Sequence, residues 1–265
     1  MCTLIALHRT VPGASLVVAA NRDEFHDRPA EGPALRPTPT GWIAAPLDVE
    51  AGGTWLGLGR TGVFAAVTNL AGGDRDPERR SRGLLVVDAL AATSAREAAE
   101  KVVNLPMGAY NPFNLFLADG VDAYAFTYQQ ALRRVEVPGG VFVIGNGPLD
   151  APAPAKLAGL RAGVDRVAGG PADVVLDGLA ELCRSHEPGE RGALDSVCVH
   201  TPGYGTRSSA LLRIGAEGLE DFDSVFRFAE GAPCESGYQE FTPLLRELAR
   251  TGRSAWGHQQ ARKSS

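Results

Sequence analysis

Cys2 is the residue of this chain that is best suited to nucleophilic chemistry. Methionine aminopeptidases remove Met1 when the second side chain is small, so we expect a mature chain that begins with a free cysteine. Its thiol, of pKa ~8.5, would then stand beside an α-amine of pKa ~7.7–8.0 that can take the thiol proton directly or through one water. One residue would supply nucleophile and base. The alternative is that Cys2 is a small apolar residue on an edge strand.

Four consecutive polar residues, Asn21-Arg22-Asp23-Glu24, end the strand that the first hairpin pairs with the strand of Cys2. A carboxylate there can accept a hydrogen bond from the α-amine and hold it beside the sulfur. Because side chains alternate along a strand, Asn21 and Asp23 share one face and Arg22 and Glu24 the other. Asp23 is therefore the predicted partner of the amine, and Arg22 is predicted to point away. The alternative is a polar turn with a local arginine–carboxylate pair.

Asparagines at two further strand ends, Asn69 and Asn146, have the chemistry of an oxyanion site. Acyl transfer needs donors aimed at the developing oxyanion, and a neutral amide N–H supplies them without shifting neighbouring pKa values. Asn114 either lines the same cleft or is structural, and both strand-end asparagines can instead be turn caps. Arg207, at a late strand start, can pair with Asp23 or with a substrate carboxylate or phosphate.

Other signatures of chemistry are absent or fail by context. The glycines of Gly57-Leu58-Gly59-Arg60-Thr61-Gly62 match the dinucleotide fingerprint by letter, but strand-forming residues follow them, which predicts a hairpin turn. The five histidines show no ligand spacing, so no metal site is predicted. The four cysteines include no CxxC pair and indicate free thiols in a reducing compartment.

Hairpins alternate with helix pairs along the 265 residues. The predicted strands are 2–8, 16–21, 42–45, 54–58, 63–68, 114–118, 123–128, 141–144, 196–200 and 208–214. The predicted helices are 84–92, 94–103, 155–167 and 172–186, and the proline-rich segment 28–39 is predicted to be a surface loop. Short turns make consecutive strands antiparallel. We therefore predict an α+β fold, a four-layer αββα sandwich in one domain over residues 1–252, with a frayed tail at 253–265.

The composition of the chain limits which binding partners and which cellular compartment are expected. The chain has 26 Lys and Arg against 31 Asp and Glu, and no basic block, so nucleic acid is not an expected partner. No apolar run approaches the ~20 residues of a membrane span, and the apolar N-terminal stretch is too short for a secretory signal. We expect a cytoplasmic protein; the sequence does not determine its oligomeric state.

An ordered set of motifs carries a family resemblance. The matching segments are Met1-Cys2-Thr3, Asn21-Arg22-Asp23-Glu24, Gly52-Gly53-Thr54-Trp55-Leu56-Gly57, Thr68-Asn69, Ser81-Arg82-Gly83, Asn114-Leu115, Gly145-Asn146-Gly147 and Gly205-Thr206-Arg207-Ser208. Together they resemble the NRDE family, also called the transport and Golgi organisation protein family, through about Arg213. That family looks related to the N-terminal nucleophile (Ntn) hydrolases, and this chain is most similar to their cysteine-type amidases and acyltransferases.

The resemblance implies roles for particular residues. Cys2 would be the nucleophile and Asp23 would orient the α-amine. Asn69 and Asn146 would hold the oxyanion and substrate, and Arg207 would fill the late-arginine role. The Ntn group has an arginine three residues before the aspartate, where this chain has Ala20. Either Arg207 alone supplies the positive charge or the thiolate is less well activated.

Four other residues of the same motifs, Arg22, Asn21, Trp55 and Asn114, are candidates for substrate binding, with a core position the alternative for Trp55. The leading hypothesis is a cysteine amidohydrolase or acyltransferase that acts on a small acyl substrate and needs no cofactor. The rival, which the resemblance also implies, is a carrier that binds haem, acyl-CoA or lipid in the same cleft without turnover. Only Cys2, His8 and His200 are candidate axial ligands for haem.

Overall fold

The computed structural model describes residues 2–71, 75–135, 140–188 and 192–251. Fourteen strands of these residues form two antiparallel sheets of seven strands each. Sheet I contains β1 (Cys2–His8), β2 (Ala14–Phe25), β10 (Val141–Ile144), β11 (His200–Thr201), β12 (Tyr204–Gly215), β13 (Val225–Glu230) and β14 (Gln239–Glu240). Sheet II contains β3 (Ala30–Thr38), β4 (Gly41–Asp48), β5 (Leu56–Gly59), β6 (Phe64–Asn69), β7 (Phe113–Ala118), β8 (Ala123–Tyr128) and β9 (Leu132–Val135).

Helices cover the outer face of each sheet, which gives the four layers. Against sheet II pack α1 (Arg82–Leu90) and α2 (Ala95–Val103); against sheet I pack α3 (Ala155–Val167) and α4 (Ala172–Cys183). The last helix, α5 (Thr242–Arg250), contacts β13 of one sheet and β3 and β4 of the other. The predicted αββα sandwich is confirmed.

Three apolar clusters hold the layers together: one lies between the sheets and one lies between each sheet and its helices. Aromatic rings join the two sheets, since Phe116 of β7 lies 6.1 Å from the Phe64 ring and 4.7 Å from the Phe142 ring of the other sheet. The inner faces of β1 and β2 enter the central cluster through Leu4 and Ala20, whereas Ile5 and Ala19 face the helices. Alternation along these strands therefore fixes which residues reach the groove between the sheets.

The prediction of a surface loop over residues 28–39 is wrong, because Ala30–Thr38 is the strand β3. β3 lies at the edge of sheet II, where a missing N–H costs no ladder bond on the open side. Its pairing with β4 shifts register between Glu31 and Ala34, around Pro33. Edge position and a bulge together explain how a strand accommodates the prolines.

Late in the chain the predicted strand over 196–200 is also corrected: the strand β11 is only His200–Thr201. β12 starts at Tyr204, four residues before the predicted start, and it pairs with both β2 and β13. No element was predicted for residues 215–251, which contribute β13, β14 and α5. The predicted frayed tail at 253–265 lies outside the described residues.

The glycines of the dinucleotide-like sequence belong to the predicted hairpin. Gly62 has a φ of +85° in the turn between β5 and β6, a conformation that favours glycine. Gly59 ends β5 directly beneath the last residue of α1, and a Cβ there would lie 2.1 Å from the Leu90 carbonyl oxygen. Close helix–sheet packing, with no nucleotide, accounts for Gly59.

We predict that Gly59→Ala lowers the free energy of unfolding by about 1–3 kcal/mol, because backbone atoms of α1 must move to admit a methyl group. Gly159→Ala is the matched control: Gly159 is exposed in α3, and nothing lies within 4 Å of its added Cβ. The control should stabilise the protein by roughly 0.5–1 kcal/mol. Urea unfolding of both variants measures the effects, and an unaffected Gly59→Ala would contradict the packing.

Candidate functional site

Cys2 lines a cavity of ≈ 410 Å³ at the end of β1. Its side chain is partly exposed, and its Cα pairs directly with that of Arg22 on β2. The backbone nitrogen of Cys2 donates a hydrogen bond of 2.8 Å to Asn146 Oδ1. The structure thus brings the predicted nucleophile and one predicted oxyanion residue together, with the Asn146 carbonyl oxygen turned toward the Cys2 nitrogen.

Asn146 follows β10 in a turn that is tied to sheet II. Its Nδ2 donates to the Asn69 carbonyl oxygen at 2.5 Å, and the Thr68 hydroxyl donates to the Gly145 carbonyl oxygen at 2.6 Å. Asn114 Nδ2 donates to the carbonyl oxygens of Gly145 (3.1 Å) and Gly147 (2.8 Å). Of the two roles considered for Asn114, its contacts support the structural one: it holds the turn that carries Asn146 and does not line the cavity.

Asn69 ends β6 and lines the Cys2 cavity with an exposed side chain. Among the described residues, its side-chain amide makes no hydrogen bond, so both of its N–H donors are available to a ligand. A free amide that lines the same cavity as Cys2 has the chemistry of a donor to an oxyanion.

Asp23 lies on the other side of Cys2. Its backbone N–H donates to the Cys2 sulfur, and its side chain is buried with Oδ1 accepting from the Thr206 hydroxyl at 2.6 Å. Burial raises the pKa of the Asp23 carboxyl to about 6, and the Thr206 hydrogen bond opposes that rise. A carboxylate with this pKa changes its charge close to neutral pH.

Burial raises the pKa of the Cys2 thiol as well, and the negative charge of Asp23 adds to the rise. The positive charge of Arg22 and the Asp23 N–H act in the opposite direction because both favour the thiolate. The thiol therefore needs a base to become nucleophilic, and the nearest basic group in the proposed mature protein is its own α-amine.

The prediction that Arg22 points away from Cys2 is wrong, because the β1–β2 register places Cys2 opposite Arg22 and not opposite Asp23. The Arg22 guanidinium stacks 4.5 Å from the centre of the Trp55 ring and lies 3.6 Å from Asp48 and 3.9 Å from Glu24. Arg22, the residue before Asp23, therefore places a positive charge near the Cys2 sulfur. Ala20 occupies the position at which the Ntn group has its arginine.

Two predicted site residues lie elsewhere. Asn21 is buried on the opposite face of β2, where its Nδ2 donates to the carbonyl oxygens of Cys183 (2.8 Å) and Val197 (3.0 Å). Arg207 lies at a register shift of β12, and its guanidinium donates to the His26 carbonyl oxygen at 2.7 Å. It lines a second cavity, of ≈ 510 Å³, that does not include Cys2.

Trp55 and Arg22 line both cavities, so the stacked pair forms part of the wall between them. Thr54, next to Trp55, is held by a hydrogen bond from its hydroxyl to the Leu56 carbonyl oxygen at 2.7 Å. Trp55 is thus at the cavity, as a substrate-binding residue must be, while its partly buried ring also packs on the central core.

Of the six arginines that line the Cys2 cavity, sequence reasoning proposed Arg22 and missed the other five. The six are Arg22, Arg28, Arg75, Arg79, Arg80 and Arg82. Carboxylates pair with four of them, for example Asp48 with Arg28 at 2.9 Å, but Arg75 and Arg82 make no ion pair with any described residue. Burial lowers the pKa of Arg82, and the nearby Arg75 lowers it further. The Ser81-Arg82-Gly83 motif was the available signal.

The candidate haem ligands do not converge. Cys2 and His8 stand at opposite ends of β1, which at ~3.3 Å per residue separates them by about 20 Å. His8 Nε2 is hydrogen-bonded to the Asp119 carbonyl oxygen at 2.9 Å, and His200 Nε2 lies 3.1 Å from Cys234 Sγ. Cys2 and His8 therefore cannot provide both axial ligands of one haem without rearrangement, and His200 lines a different cavity from Cys2. In the described ranges, no helix is both long and apolar enough to cross a membrane.

Two solved structures share this architecture. An N-acylethanolamine-hydrolyzing acid amidase ortholog from Caenorhabditis elegans matches with a TM-score of 0.51 at 11% identity, over 80% of this chain and 92% of its own. A mutant conjugated bile acid hydrolase from Clostridium perfringens matches with a TM-score of 0.50 at 10% identity, over 92% and 93% of the two chains. These likenesses establish an Ntn-hydrolase-like fold.

Sequence comparison identifies the family. The human Transport and Golgi organization protein 2 homolog is 30% identical over 240 residues, which cover 78% of this chain and 84% of the human protein. The mouse homolog is 28% identical over the same shares of the two chains. The family model described as Transport and Golgi organisation 2 matches residues 1–222. The resemblance inferred from the motifs is confirmed: the chain belongs to the Transport and Golgi organisation 2 family.

Proposed function

We propose that this protein is a cysteine-nucleophile amidohydrolase or acyltransferase that acts on a small acyl substrate through a thioester at Cys2. The observation that carries the proposal is the meeting of three groups at one cavity: the Cys2 sulfur, the Cys2 nitrogen bonded to Asn146, and the buried Asp23 carboxylate. After removal of Met1 that nitrogen is a primary amine, and it keeps the Asn146 oxygen as an acceptor.

The proposed reaction begins when the α-amine takes the proton of the Cys2 thiol, directly or through one water. The thiolate attacks the carbonyl carbon, and the Asn69 amide donates to the oxyanion of the tetrahedral intermediate. Asn146 and Asp23 orient the ammonium group, which then protonates the departing amine as the intermediate collapses to a thioester. Water, or an acceptor in the transferase case, attacks the thioester and restores the thiol.

The charge of the cavity suggests the substrate class. Arg75 and Arg82 are the lining arginines that make no ion pair with a carboxylate among the described residues. Guanidinium groups in such a setting bind carboxylate or phosphate strongly. We therefore propose an acyl substrate that bears an anionic group. Because the mechanism needs a free thiol, we also propose a reducing compartment such as the cytoplasm.

The carrier hypothesis uses the same cavity. A ligand with an anionic group, such as an acyl-CoA, can bind the arginines without turnover, and haem carries carboxylates of its own. The two hypotheses differ in Cys2: a carrier of anionic ligands does not need the sulfur, whereas the enzyme does.

We predict that the purified protein lacks Met1 and that iodoacetamide modifies Cys2 faster than Cys183, which is buried. Cys2→Ala should abolish the p-nitrophenol burst from p-nitrophenyl butyrate, a drop of about 10³-fold or more, because no other group forms the thioester. Intact mass and peptide mapping measure the labelling. A retained Met1, or a burst that survives in Cys2→Ala, would contradict the enzyme hypothesis. If Cys2 does not react and Cys2→Ala binds acyl-CoA as well as the wild type does, the carrier hypothesis is supported.

The α-amine acts as the base only when it is unprotonated, so the acylation rate falls below the amine pKa of ~7.7–8.0. Asp23 must be ionised to hold the ammonium group, so we predict a second, steeper acidic limb as the pH drops through about 6, the pKa of its carboxyl. Asp23→Asn keeps an oxygen that can accept from Thr206 but lacks the charge. It should therefore lower the rate by about 10²-fold or more and remove this acidic limb. The measurement is the pH profile of the p-nitrophenol burst, and an unchanged limb in the variant would reassign it to another group.

The same substitution should stabilise the fold. Because the folded pKa of Asp23 lies above the unfolded value, its ionisation opposes folding increasingly as the pH rises from ~4 to about 6. Asp23→Asn should thus unfold with a free energy about 1–3 kcal/mol higher than wild type at pH 7, and the gain should vanish near pH 4. Asp165→Asn, on the exposed surface of α3, is the control that should show no such pH dependence. If Asp23→Asn is less stable than wild type at pH 7, the ionised Asp23 carboxyl does not destabilise the fold.

Arg82 provides the test of substrate charge. We predict that Arg82→Gln lowers kcat/KM by about 10–100-fold for p-nitrophenyl hydrogen succinate but leaves p-nitrophenyl butyrate nearly unchanged, because only the former carries a carboxylate. Arg96→Gln is the control, since Arg96 pairs with Asp122 on the exposed face of α2. Equal losses on both esters would show that Arg82 acts on the fold and not on the substrate.

A further inference from the structure

A second group of reactive side chains converges outside the Cys2 cavity. Four side chains place one metal-ligating atom each within 4.8 Å of all the others: His186, Cys198, His200 and Cys234. They are called the Cys/His cluster below. We propose that the Cys/His cluster binds one Zn²⁺ ion through its two sulfurs and two imidazole nitrogens.

The interatomic distances match the edges of a tetrahedral zinc site. Zn–S bonds of about 2.3 Å and Zn–N bonds of about 2.0–2.1 Å place two sulfurs ~3.8 Å apart and a sulfur ~3.5 Å from a nitrogen. The Cys198 and Cys234 sulfurs lie 3.5 Å apart, and His200 Nε2 lies 3.6 Å from the first and 3.1 Å from the second. An ion fits between these three atoms with shifts of a few tenths of an ångström. The ligating nitrogen of His186 lies within 4.8 Å of all three, and a shift of its ring by up to ~1.3 Å completes the tetrahedron.

Imidazole orientation supports a metal rather than a disulfide. Two sulfurs alone would suffice for a disulfide, but here the rings of His186 and His200 also meet, 5.0 Å apart and edge to face. His200 turns Nε2 toward the sulfurs and Nδ1 toward the Glu235 carboxylate, 3.8 Å away. A carboxylate on the far nitrogen of a ligating imidazole is the usual way in which proteins orient it toward zinc.

The backbone around the cluster is already fixed. The ligands come from the chain after α4, from the segment that enters β11 and from the turn after β13. The Cys198 N–H donates to the Ser185 carbonyl oxygen at 2.8 Å, and Arg184 Nε donates to the Pro233 carbonyl oxygen at 3.0 Å. The turn itself is closed by the Glu235 N–H on the Ala232 carbonyl oxygen at 3.0 Å. These bonds join all three segments without using the four side chains of the cluster, so the site is preorganised.

Four protein ligands leave no open position, which is the coordination of a structural zinc site and not of a catalytic one. The ion would tie α4 to the sheet beside the ≈ 510 Å³ cavity, whose lining includes His200 and Glu235. Both cysteines bind as thiolates, so each releases its proton when the ion enters. The proposal does not depend on the proposed acyl-transfer function, because the Arg22–Trp55 pair separates this cavity from that of Cys2.

The test is the zinc content of the full-length protein after dialysis against Zn²⁺ and then against buffer, under reducing conditions. We expect about one ion per chain, as a site with four protein ligands binds tightly. Cys234→Ser and His200→Ala should each lose most of it; both lie toward the surface, so these variants should fold. Cys2→Ser and His26→Ala, a thiol and an exposed imidazole outside the cluster, should keep the ion.

Two further readouts do not rely on stoichiometry. Co²⁺ in place of Zn²⁺ should give the intense visible bands of a tetrahedral site and thiolate charge-transfer bands in the near ultraviolet, both absent from Cys234→Ser. A chelator should lower the thermal midpoint of the wild type but not that of the two cluster variants. Zinc uptake no greater than that of Cys234→Ser, a six-coordinate cobalt spectrum, or a Cys198–Cys234 disulfide in the reduced preparation would overturn the proposal.

Discussion

The antiparallel register of β1 against β2 is the constraint on which the site depends. Cys2 pairs with Arg22, and every pair behind it, down to His8 with Leu16, keeps the same phase. A slip of one residue would turn Leu4 and Ala20 out of the central core and move Cys2 away from the groove between the sheets. The apolar core therefore fixes the position of the sulfur, since the same alternation that buries Leu4 aims Cys2.

Stability and chemistry oppose each other at Asp23. The Asp23 carboxyl is buried beside a thiol and loses its contact with water. The hydrogen bond from Thr206 offsets this loss only in part, so ionisation of Asp23 opposes folding. Asn114, which is buried, and Asn146, which is half-buried, show the complementary arrangement: both ends of each amide make hydrogen bonds, and these bonds hold one turn against sheet II. A destabilising carboxyl held in a rigid frame is the trade-off between stability and activity that the proposed function would require.

The two cavities differ in the charge and chemistry of the residues that line them. One holds the cysteine, the buried carboxylate and arginines with no acidic partner in the described part of the chain; the other ends at the Cys/His cluster. Arg22 and Trp55 stand between them, and the arginine serves both walls. Hydrogen bonds near the Cys/His cluster fix the chain after α4 and the turn after β13 at a distance from Cys2.

The sequence by itself determined the order of most strands and helices through β12, the four layers and several of the residues that meet at Cys2, because alternation, capping residues and turn glycines are local signals. Only the tertiary structure decided which face each polar residue takes. The phase between β1 and β2 put Arg22 opposite Cys2 and sent Asn21 outward, and a register shift in β12 moved Arg207 to the second cavity. The proline-rich segment Ala30–Thr38 can form a strand because it lies at the edge of sheet II. The ligands of the Cys/His cluster gave no spacing signal, since His200 and Cys234 stand 34 residues apart and meet only because β12 and β13 pair.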